Sequence, residues 1–595
     1  MKITFCGAAE SVTGSCHLLD IKGKQPGDTA AKLLLDCGQF QGSSKQEAQN
    51  FEPFPFAPGE IDFVILSHAH VDHCGRLPLL VRDGFKGRIY CTDSTADLLG
   101  IMLRDSAHIH QNEAEWKNKK AARAGKPAVE PLFTMNDAEE TLGFVSPISY
   151  DVQFEPVPGV KAVFNEAGHI LGSAIIELWF TEGGETKKLV FSGDLGVEDR
   201  PLLNDPTYIK KADYVIMETT YGNRAHEEKT ASAGELVSII NRTIRRGGNV
   251  VIPSFAVGRT QDLIYELNEY YEHGDDPDFN RIMVYVDSPM ARAATKVFEE
   301  NFQDLDEATK GRILHGDNPL DFANLIFTAS TEESKGLNTD MVPKAIISAS
   351  GMCEAGRVRH HLKHNLWNPK SSIVFVGYQA ENTLGRKIIE GARSVILFGE
   401  EIYVNAEVYN LHGFSAHADR DGLLKWVKAF TKKPEALFLV HGELEAKKDF
   451  ASLVKEATGI SATVVEDICE VDLSEIADGL LQAEALSSVA PGKAAYSQDG
   501  AGETAKEKPS SPGFDPYGKP AAPVTEIDPE DLPRFKQRIS DVGGNLENLL
   551  YEAKLSAIKA VGDNDSEKFA ALNNLAIQLE NATIRLATEL TGKKL

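Results

Sequence analysis

The apolar run Phe63–Leu66 is followed by four residues of metal-binding types within six positions: His68, His70, Asp72 and His73. Burying this much polarity without a partner is costly, so the cluster does not fit a hydrophobic core. At a turn from a strand into a helix, His68 and His70 can converge on one ion. Asp72 and His73, one step further along, can face a second ion. The cluster therefore predicts metal binding at the end of a strand.

Three further residues of metal-binding types stand beside glycines or at the ends of other apolar runs. Asp194 follows the run Leu189–Ser192, His441 follows Leu437–Val440, and His169 lies in a segment flanked by glycines. The glycines allow another backbone segment to approach His169 closely. A carboxylate such as Asp194 can bridge two cations, which a neutral imidazole cannot do. Taken singly each could be a loop residue, but together with the first cluster they complete two coordination shells.

The bulk properties predict a multidomain cytoplasmic protein. The 595 residues exceed what one hydrophobic core usually supports, so we expect two or more domains. The sequence has no run of about 18 apolar residues, the length that would predict a membrane-spanning helix. Met1–Gly7 lacks the apolar core of a signal peptide and is expected to form a first strand. The seven cysteines show no CxxC pair, which favours reduced thiols in a cytoplasm over a disulfide frame.

The charge is strongly acidic overall but basic in one span. A net charge of −26 argues against a protein that coats nucleic acid non-specifically, but it leaves room for a local basic surface. The span Arg357–Arg393 holds seven Lys and Arg against two acidic residues, an excess of five positive charges. Two interpretations stay open from charge alone: a solvated helix face, or a basic wall that contacts nucleic acid.

The pattern of apolar runs divides the chain into zones. Residues 1–208 and 396–480 alternate short apolar runs with polar residues at their ends, as strands that end at a site do. Residues 209–395 mix runs typical of buried strands with helical stretches, which is typical of a parallel α/β unit. This order predicts one α/β domain inserted into another.

The last part of the chain differs in composition. Residues 481–526 are rich in Ala, Gly, Pro, Ser and Lys and are expected to form a flexible linker. Residues 527–595 are expected to form a helical extension, because apolar residues recur there at helical spacing: Leu572, Leu575, Leu579, Ala582, Leu586 and Leu590. Two interpretations of this stripe stay open. It packs within the protein, against the rest of the chain or in a small bundle, or it forms the contact of a homodimer or with a protein partner.

The ligand pattern resembles that of the metallo-β-lactamase superfamily. The segment His68–His73 matches its HxHxDH motif, and His169 and Asp194 match ligands of its third and fourth motifs. Asp36, which ends the run Leu33–Leu35, matches the first aspartate of the family, which supports the ligands from behind. The resemblance implies an α/β fold of the αββα type, in which two sheets lie between layers of helices.

The middle of the chain and the segment after it resemble the β-CASP ribonucleases of that superfamily. Glu218 matches β-CASP motif A, His417 matches motif B and His441 matches motif C. A histidine at motif C is typical of the RNA-processing branch, which includes bacterial and archaeal cleavage-factor-type nucleases and ribonuclease J. The resemblance covers roughly residues 1–475 and implies an inserted β-CASP α/β domain.

The resemblance implies a metal-dependent ribonuclease that hydrolyses phosphodiester bonds in RNA processing or decay. One ion would be held by His68, His70 and His169, the other by Asp72, His73 and His441, and Asp194 would bridge them. Two cations about 3.5–4 Å apart can share a hydroxide nucleophile and stabilise the charge of the transition state. Mixed imidazole and carboxylate ligands favour two Zn²⁺, although Mn²⁺ accepts the same set.

The resemblance also implies roles for residues around the ions. His417 would protonate the leaving oxygen or grip a phosphate, with Glu218 fixing its tautomer and raising its basicity. The catalytic set would be completed by Asp36, Asp72 and Asp194. Flanking phosphates would contact Arg359, His361, Lys363 and Arg386. Each of these four is otherwise interpreted as a surface cation.

Two other functions stay open at this point. A small-molecule metallo-hydrolase of the thioesterase or lactonase type would use the same ligands. The inserted domain, its basic span and the histidine at motif C disfavour it. A non-catalytic RNA-binding subunit is disfavoured because all seven ligand positions are intact. Endonuclease and 5′-exonuclease action are both compatible with the motifs.

Overall fold

The computed structural model describes residues 1–9, 11–22, 29–182, 184–226, 229–274, 279–380, 382–473 and 487–488. One compact unit comprises Met1–Lys310 and Asn318–Pro491, and of a second unit only Gly311–Asp317 is described. The predicted helical extension at 527–595, its apolar stripe and nearly all of the predicted linker lie outside the described residues. Among those described, no helix combines the length and the apolar character needed to cross a membrane.

The first sheet joins the start of the chain to its return segment. Its eight strands are, in spatial order, β23 (Ser487–Ser488), β22 (Cys469–Asp472), β1 (Lys2–Phe5), β2 (His17–Lys22), β3 (Thr29–Leu35), β4 (Phe63–Ile65), β5 (Arg88–Cys91) and β6 (Val145–Pro147). β1 runs antiparallel to β2 and to β22, whereas β3 to β6 are parallel neighbours. The expected first strand at the N-terminus is therefore confirmed.

The second sheet packs face to face on the first. Its strands are, in order, β21 (Ala462–Val464), β20 (Ala436–Val440), β11 (Tyr214–Glu218), β10 (Glu185–Phe191), β9 (Ala174–Glu182), β8 (Val160–Glu166) and β7 (Phe154–Val157). Phe5 of the first sheet and Phe438 of the second are in ring contact, with centroids 5.3 Å apart. Side chains from both sheets thus share one buried apolar layer.

Helices cover the outer face of each sheet. They are α1 (Ser44–Ala48), α2 (Val71–Cys74), α3 (Leu77–Arg82), α4 (Asp93–Arg123), α5 (Met135–Leu142), α13 (Arg420–Lys428) and α14 (Leu444–Thr458). In β3, Leu33 and Leu35 face the layer between the sheets, while Leu34 packs toward the helices. Trp426 and Phe450 pack the last two helices on the second sheet. These layers confirm the predicted αββα sandwich.

A separate parallel sheet lies between β11 and the return segment in sequence. Its order is β14 (Leu325–Phe327), β13 (Val284–Val286), β15 (Ala345–Ser348), β12 (Val250–Pro253), β16 (Ser372–Phe375) and β19 (Glu407–Asn410). A hairpin comprises β17 (Ser394–Leu397) and β18 (Glu400–Tyr403). The strands Val250–Pro253 and Ala345–Ser348 are buried throughout, as parallel strands between helices are. This confirms the inserted α/β domain.

The helices of this part of the chain are α6 (Lys229–Arg245), α7 (Arg259–His273), α8 (Pro289–Glu300), α9 (Glu307–Leu314), α10 (Thr331–Thr339), α11 (Val358–Asn365) and α12 (Leu384–Ile389). Short 3-10 turns occur at Gln49–Phe51, Pro58–Glu60, Phe279–Arg281, Phe302–Asp304 and His412–Phe414. Ser288 begins α8 by accepting a hydrogen bond from the backbone of Ala291, a typical N-cap.

The limits of the insertion differ from those predicted at 209 and 395. β11 lies in the second sheet of the sandwich, so the chain leaves the sandwich only after Glu218. β19 pairs in parallel with β16, so the inserted sheet continues to Asn410. A division at 395 places β18 and β19 in the return segment, where short apolar runs end in polar residues. That pattern does not reveal which sheet a short strand joins.

Candidate metal centre and acid–base pair

The predicted ligands lie just beyond the carboxyl ends of strands. His68 follows β4, Asp194 follows β10 and His441 follows β20. His70 is the N-cap residue of α2, so Asp72 falls in the first turn of that helix. The sequence therefore turns from strand to helix within the ligand motif, as its spacing predicted.

The first group of ligands comprises His68, His70, His169 and Asp194. Nε2 of His68 and Nε2 of His169 lie 3.1 and 3.2 Å from Nδ1 of His70. Oδ2 of Asp194 lies 3.5 Å from each of those Nε2 atoms. Ligands bound at about 2.0–2.1 Å to one tetrahedral ion lie roughly 3.3 Å from one another. These four atoms are spaced as they would be around a single ion.

The second group comprises Asp72, His73 and His441. Nε2 of His441 lies 3.2 Å from Nε2 of His73 and 3.6 Å from Oδ2 of Asp72. Asp194 reaches this group too, with Oδ2 3.3 Å from Nε2 of His73. Asp194 thus lies between the two groups, where one carboxylate can bridge two ions.

The buried atoms of the cluster fit a cation. Among the described residues, Oδ1 of Asp194 and Nδ1 of His169 are buried without a hydrogen-bond partner. Burial lowers the pKa of His70 to about 4 and holds the pKa of His68 and of His169 well below the usual value. These imidazoles are therefore neutral, the form that coordinates metals. Closely spaced lone pairs around a bare carboxylate are what a bound cation stabilises.

Asp36 supports the second group from behind. Its Oδ2 lies 2.7 Å from Nδ1 of His73 and accepts hydrogen bonds from Oγ of Ser15 and of Ser67, each at 3.0 Å. This contact leaves Nε2 of His73 for the ligand cluster. Burial lowers the pKa of His73, but Asp194 and Asp36 outweigh burial and raise it. A cation at Nε2 would interact with the same two carboxylates in place of that proton.

Two hydroxyl groups that orient ligands were missed in the sequence. Oγ of Ser67 lies 3.0 Å from Nδ1 of His68, and Oγ1 of Thr220 lies 3.1 Å from Nδ1 of His441. Each contact fixes which ring nitrogen is left for an ion. The position of Ser67 directly before the ligand motif is a signal by which it could have been identified. Thr220 had none, because its partner is distant in sequence.

Two site residues adopt a left-handed backbone conformation that is uncommon outside glycine. Asp36 has φ 61° and His441 has φ 49°. Hydrogen bonds from the backbone N–H of Asp36 to Ile65 and from that of His441 to Ala8 hold these turns. Such conformations persist where the surroundings over-determine them, and they concentrate at functional sites.

The glycines around His169 confirm the expected close approach. Gly172 has φ +81°, and a Cβ there would lie 2.5 Å from the backbone nitrogen of Thr95. The hydroxyls of Thr92 and Thr95 both donate to the carbonyl of Gly172, at 2.6 and 2.8 Å. The ligand loop is thereby tied to the start of α4.

An acid–base pair adjoins the metal ligands. Nδ1 of His417 lies 3.1 Å from Oε1 of Glu218 and 3.9 Å from Oδ2 of Asp194. Glu218 is held in turn by the backbone N–H groups of Leu195 and Thr220. Burial lowers the pKa of His417, but Glu218 and Asp194 outweigh burial and raise it to about 8. The side chain is 19% exposed, so a substrate can reach it.

Aromatic residues near this pair were also missed in the sequence. The ring of Tyr221 lies 6.2 Å from that of His417, and Nε2 of His226 lies 2.9 Å from the carbonyl of His417. The hydroxyl of Tyr378 donates to Oε1 of Glu443 at 2.5 Å. These side chains form the wall of the site beside motif B.

Three of the four predicted phosphate contacts are partly exposed and paired with other groups. Nζ of Lys363 lies 2.7 Å from Glu400, and Arg359 lies over the ring of Phe398. Arg386 bonds to Glu390 at 2.6 Å, and Tyr378 and Glu443 also raise its pKa. Nη1 of Arg386 also donates to the carbonyl of Gln379, the neighbour of Tyr378, at 3.5 Å. The structure does not bring Arg359 and Lys363 into contact with the ligands.

His361 lies in the interior of the inserted domain. It is 0% exposed. Its Nε2 lies 2.6 Å from Oδ2 of Asp287 and its Nδ1 lies 2.9 Å from Asn338. Both ring nitrogens are therefore occupied, and the predicted contact with a phosphate does not fit this structure. A histidine beside basic residues in the sequence was mistaken for part of their surface, although α11 turns it inward.

The chain matches three family models. Residues 15–254 match the metallo-beta-lactamase superfamily, residues 260–388 the Beta-Casp domain, and residues 401–465 the Zn-dependent metallo-hydrolase RNA specificity domain. These matches cover the ligand motifs, the inserted sheet and the segment with motifs B and C.

Several curated relatives are similar over most of the chain. Ribonuclease TTHA0252 of Thermus thermophilus is 39% identical over 75% of this chain and 94% of its own length. Transcription termination factor FttA of Methanocaldococcus jannaschii is 34% identical over 76% of this chain and 69% of its own length. FttA of Methanosarcina mazei is 32% identical over 80% of this chain and 72% of its own length. The chain belongs to the β-CASP family of the metallo-β-lactamase superfamily.

Proposed function

We propose that this protein is a metal-dependent ribonuclease that hydrolyses phosphodiester bonds in RNA processing or decay. The observation that carries the proposal is the position of the His417–Glu218 pair against Asp194, beside two groups of metal ligands. A proton donor next to a cation site is suited to breaking a P–O bond. The name of the Thermus thermophilus relative supports the same activity.

The side chains divide the chemistry among them. Bound ions would be held by the two ligand groups around Asp194, and they supply an activated water and stabilise negative charge on the phosphate. Asp36 keeps Nε2 of His73 directed at the ions. His417, protonated near neutral pH, donates a proton to the leaving oxygen through Nε2, while Glu218 holds Nδ1. We propose two Zn²⁺, with Mn²⁺ as an alternative.

The proposed substrate is RNA rather than a thioester or lactone. The match to an RNA specificity domain over residues 401–465 includes His417 and His441. A small-molecule hydrolase has no use for a large domain inserted over its site, and a non-catalytic subunit has no use for a complete ligand set. The predicted cytoplasmic location, which the seven free thiols favour, and the predicted partner contacts of the C-terminal extension stay predictions.

Product mapping tests the proposal directly. Purified protein is incubated with RNA labelled at either end, and in parallel with a panel of thioesters and lactones. Internal fragments would identify an endonuclease, and mononucleotides released from the 5′ end an exonuclease. Turnover of the small molecules without cleavage of RNA would overturn the proposal.

We expect the purified protein to contain two equivalents of metal, because the seven ligands form two groups and Oδ2 of Asp194 lies within 3.5 Å of ring nitrogens in both. Elemental analysis measures this content. Removing the metal with a chelator should abolish cleavage, and Zn²⁺ or Mn²⁺ should restore it. A metal-free protein that cleaves RNA at the full rate would contradict the ligand assignment.

We also propose that Arg359, Lys363 and Arg386 form a wall that contacts RNA phosphates. Each phosphate neutralised on a single strand adds about 0.7 to the salt dependence of binding. Replacing Arg359 and Lys363 together by alanine should therefore weaken binding and flatten the salt slope by about 1.4, with metal content unchanged. A matched control replaces Arg104 and Lys119, two exposed cations of α4. Equal salt slopes for the two double variants would show that Arg359 and Lys363 belong to a solvated helix face and do not contact RNA.

A further inference from the structure

The loop after β12 lies directly against a metal-ligand segment. Gly258 ends this loop with φ +79°, and a Cβ on it would lie 2.8 Å from Cγ2 of Ile170, the neighbour of His169. The ring of Phe255, in the same loop, lies 6.5 Å from that of His70. The inserted domain therefore presents the start of α7 to the metal centre. Ligands of open parallel sheets bind at this carboxyl edge of the strands.

Arg259, the first residue of α7, is buried, and not all of its N–H donors have an acceptor among the described residues. Its side chain is 7% exposed, and its Nε has no hydrogen-bond partner among the described residues. Nη1 lies 3.3 Å from Oδ2 of Asp262, but Arg200 contacts the same oxygen more closely. One carboxylate oxygen is thus shared by two guanidinium groups. A buried N–H without an acceptor is costly unless a ligand satisfies it.

Contacts link Arg259 to the segment of His169: Arg200, which shares Asp262 with Arg259, donates to the carbonyl of His169 at 3.5 Å. Burial raises the pKa of Tyr221, and the positive charge of Arg259 opposes that rise. The same charge helps burial to lower the pKa of His226. The ring of Tyr221 lies 4.6 Å from that of His226 and 6.2 Å from that of His417. Arg259 is therefore adjacent to the segment that carries His169.

We propose that Arg259 binds the RNA phosphate adjacent to the one being cleaved. The proposal rests on the ribonuclease function proposed above. A guanidinium group can donate two parallel hydrogen bonds to phosphate oxygens, which a lysine cannot do. Arg259 thereby aligns the chain of the RNA so that its neighbouring phosphate lies between the metal ligands and His417. The inserted domain then binds the substrate next to the reacting phosphate. This contact is separate from the contacts proposed for Arg359, Lys363 and Arg386.

The test compares Arg259→Gln and Arg259→Lys with Arg104→Gln, which removes one exposed cation of α4. Binding of a fluorescent single-stranded RNA is measured across a salt series in zinc-loaded protein that also carries His417→Ala. Cleavage by the single variants gives kcat and KM separately. We expect Arg259→Gln to weaken binding about tenfold or more and to lower the salt slope by about 0.7. Arg259→Lys should lose less affinity and keep the slope, and Arg104→Gln should behave like the parent.

Metal content and Tm show whether Arg259 binds RNA or only stabilises the fold. We expect both to stay at the parental values in Arg259→Lys. A fall in Tm with unchanged affinity and slope would assign Arg259 to packing and overturn the proposal. Unchanged affinity, slope and KM in both variants would overturn it as well. If Arg259→Gln does not fold, Arg259→Lys carries the same comparison. A parent protein that binds RNA without cleaving it would instead refute the ribonuclease function.

Discussion

Replacing Asp194 by asparagine is expected to reduce cleavage at least about 10³-fold, the equivalent of several kcal/mol of lost charge stabilisation. Oδ2 of Asp194 lies 3.3 to 3.5 Å from ring nitrogens of both ligand groups, so its negative charge serves two ion positions at once. Asparagine keeps the shape but cannot supply that charge. Metal content should fall from two equivalents toward one or none. Elemental analysis and initial cleavage rates measure the two effects.

Asp199→Asn is the matched control for this change. Asp199 is an exposed aspartate five positions further along, and its φ of 54° is one that asparagine tolerates. We expect normal metal content and rate in this variant. An Asp194→Asn protein that retains two ions and cleaves RNA normally would show that the two ligand groups do not share a bridging carboxylate.

Replacing His417 by alanine is expected to reduce kcat by about 10²–10⁴-fold, the usual contribution of a positioned general acid. Metal content should stay unchanged, because His417 lies outside the two ligand groups around which the ions are proposed. Glu218→Gln should cause a smaller loss, since the glutamine oxygen can still accept from one of the two backbone N–H groups, but the amide lacks the charge that raises the pKa of His417. Stopped-time cleavage assays with metal analysis of the same samples measure both.

A leaving group that needs no proton provides the discriminating measurement. A substrate whose scissile bond releases a nitrophenolate should be cleaved by His417→Ala at close to the parental rate. His273→Ala, which removes an exposed histidine near the end of α7, serves as the control. An equal loss on both substrates would assign His417 to metal binding or to folding rather than to proton donation.

The candidate metal centre could be predicted from the sequence because each proposed ligand lies next to a recognisable local pattern. His68 to His73 follow an apolar run, and Asp194 and His441 end other runs, so strand ends alone brought them together. The contacts that orient these ligands could not be predicted. Ser67 and Thr220 belong to residue types found in every loop, and Thr220 meets His441 only through the pairing of β11 with β20.

Burial was the property that the sequence revealed least. His361 and Arg359 lie two positions apart in a basic helix, and only packing shows that one faces Asp287 and the other the surface. β19 was assigned to the wrong sheet for the same reason, since its four residues carry no sign of their partner strand. The unpaired donor of Arg259 likewise depends on the fold and has no signal in the sequence.

The pairing of β1 with β22 has a consequence for the time at which a newly made chain acquires activity. His73 and His441 are 368 residues apart. At about 5–20 residues per second, a ribosome needs roughly 20–70 s to pass from one to the other. Once Asp194 is made the nascent chain holds the first ligand group, but the second group lacks His441 until the end of this interval, and β1 lacks one of its neighbours. If the proposed function is correct, a chain released before His441 lacks a metal ligand and is expected not to cleave RNA, including the messenger that encodes it.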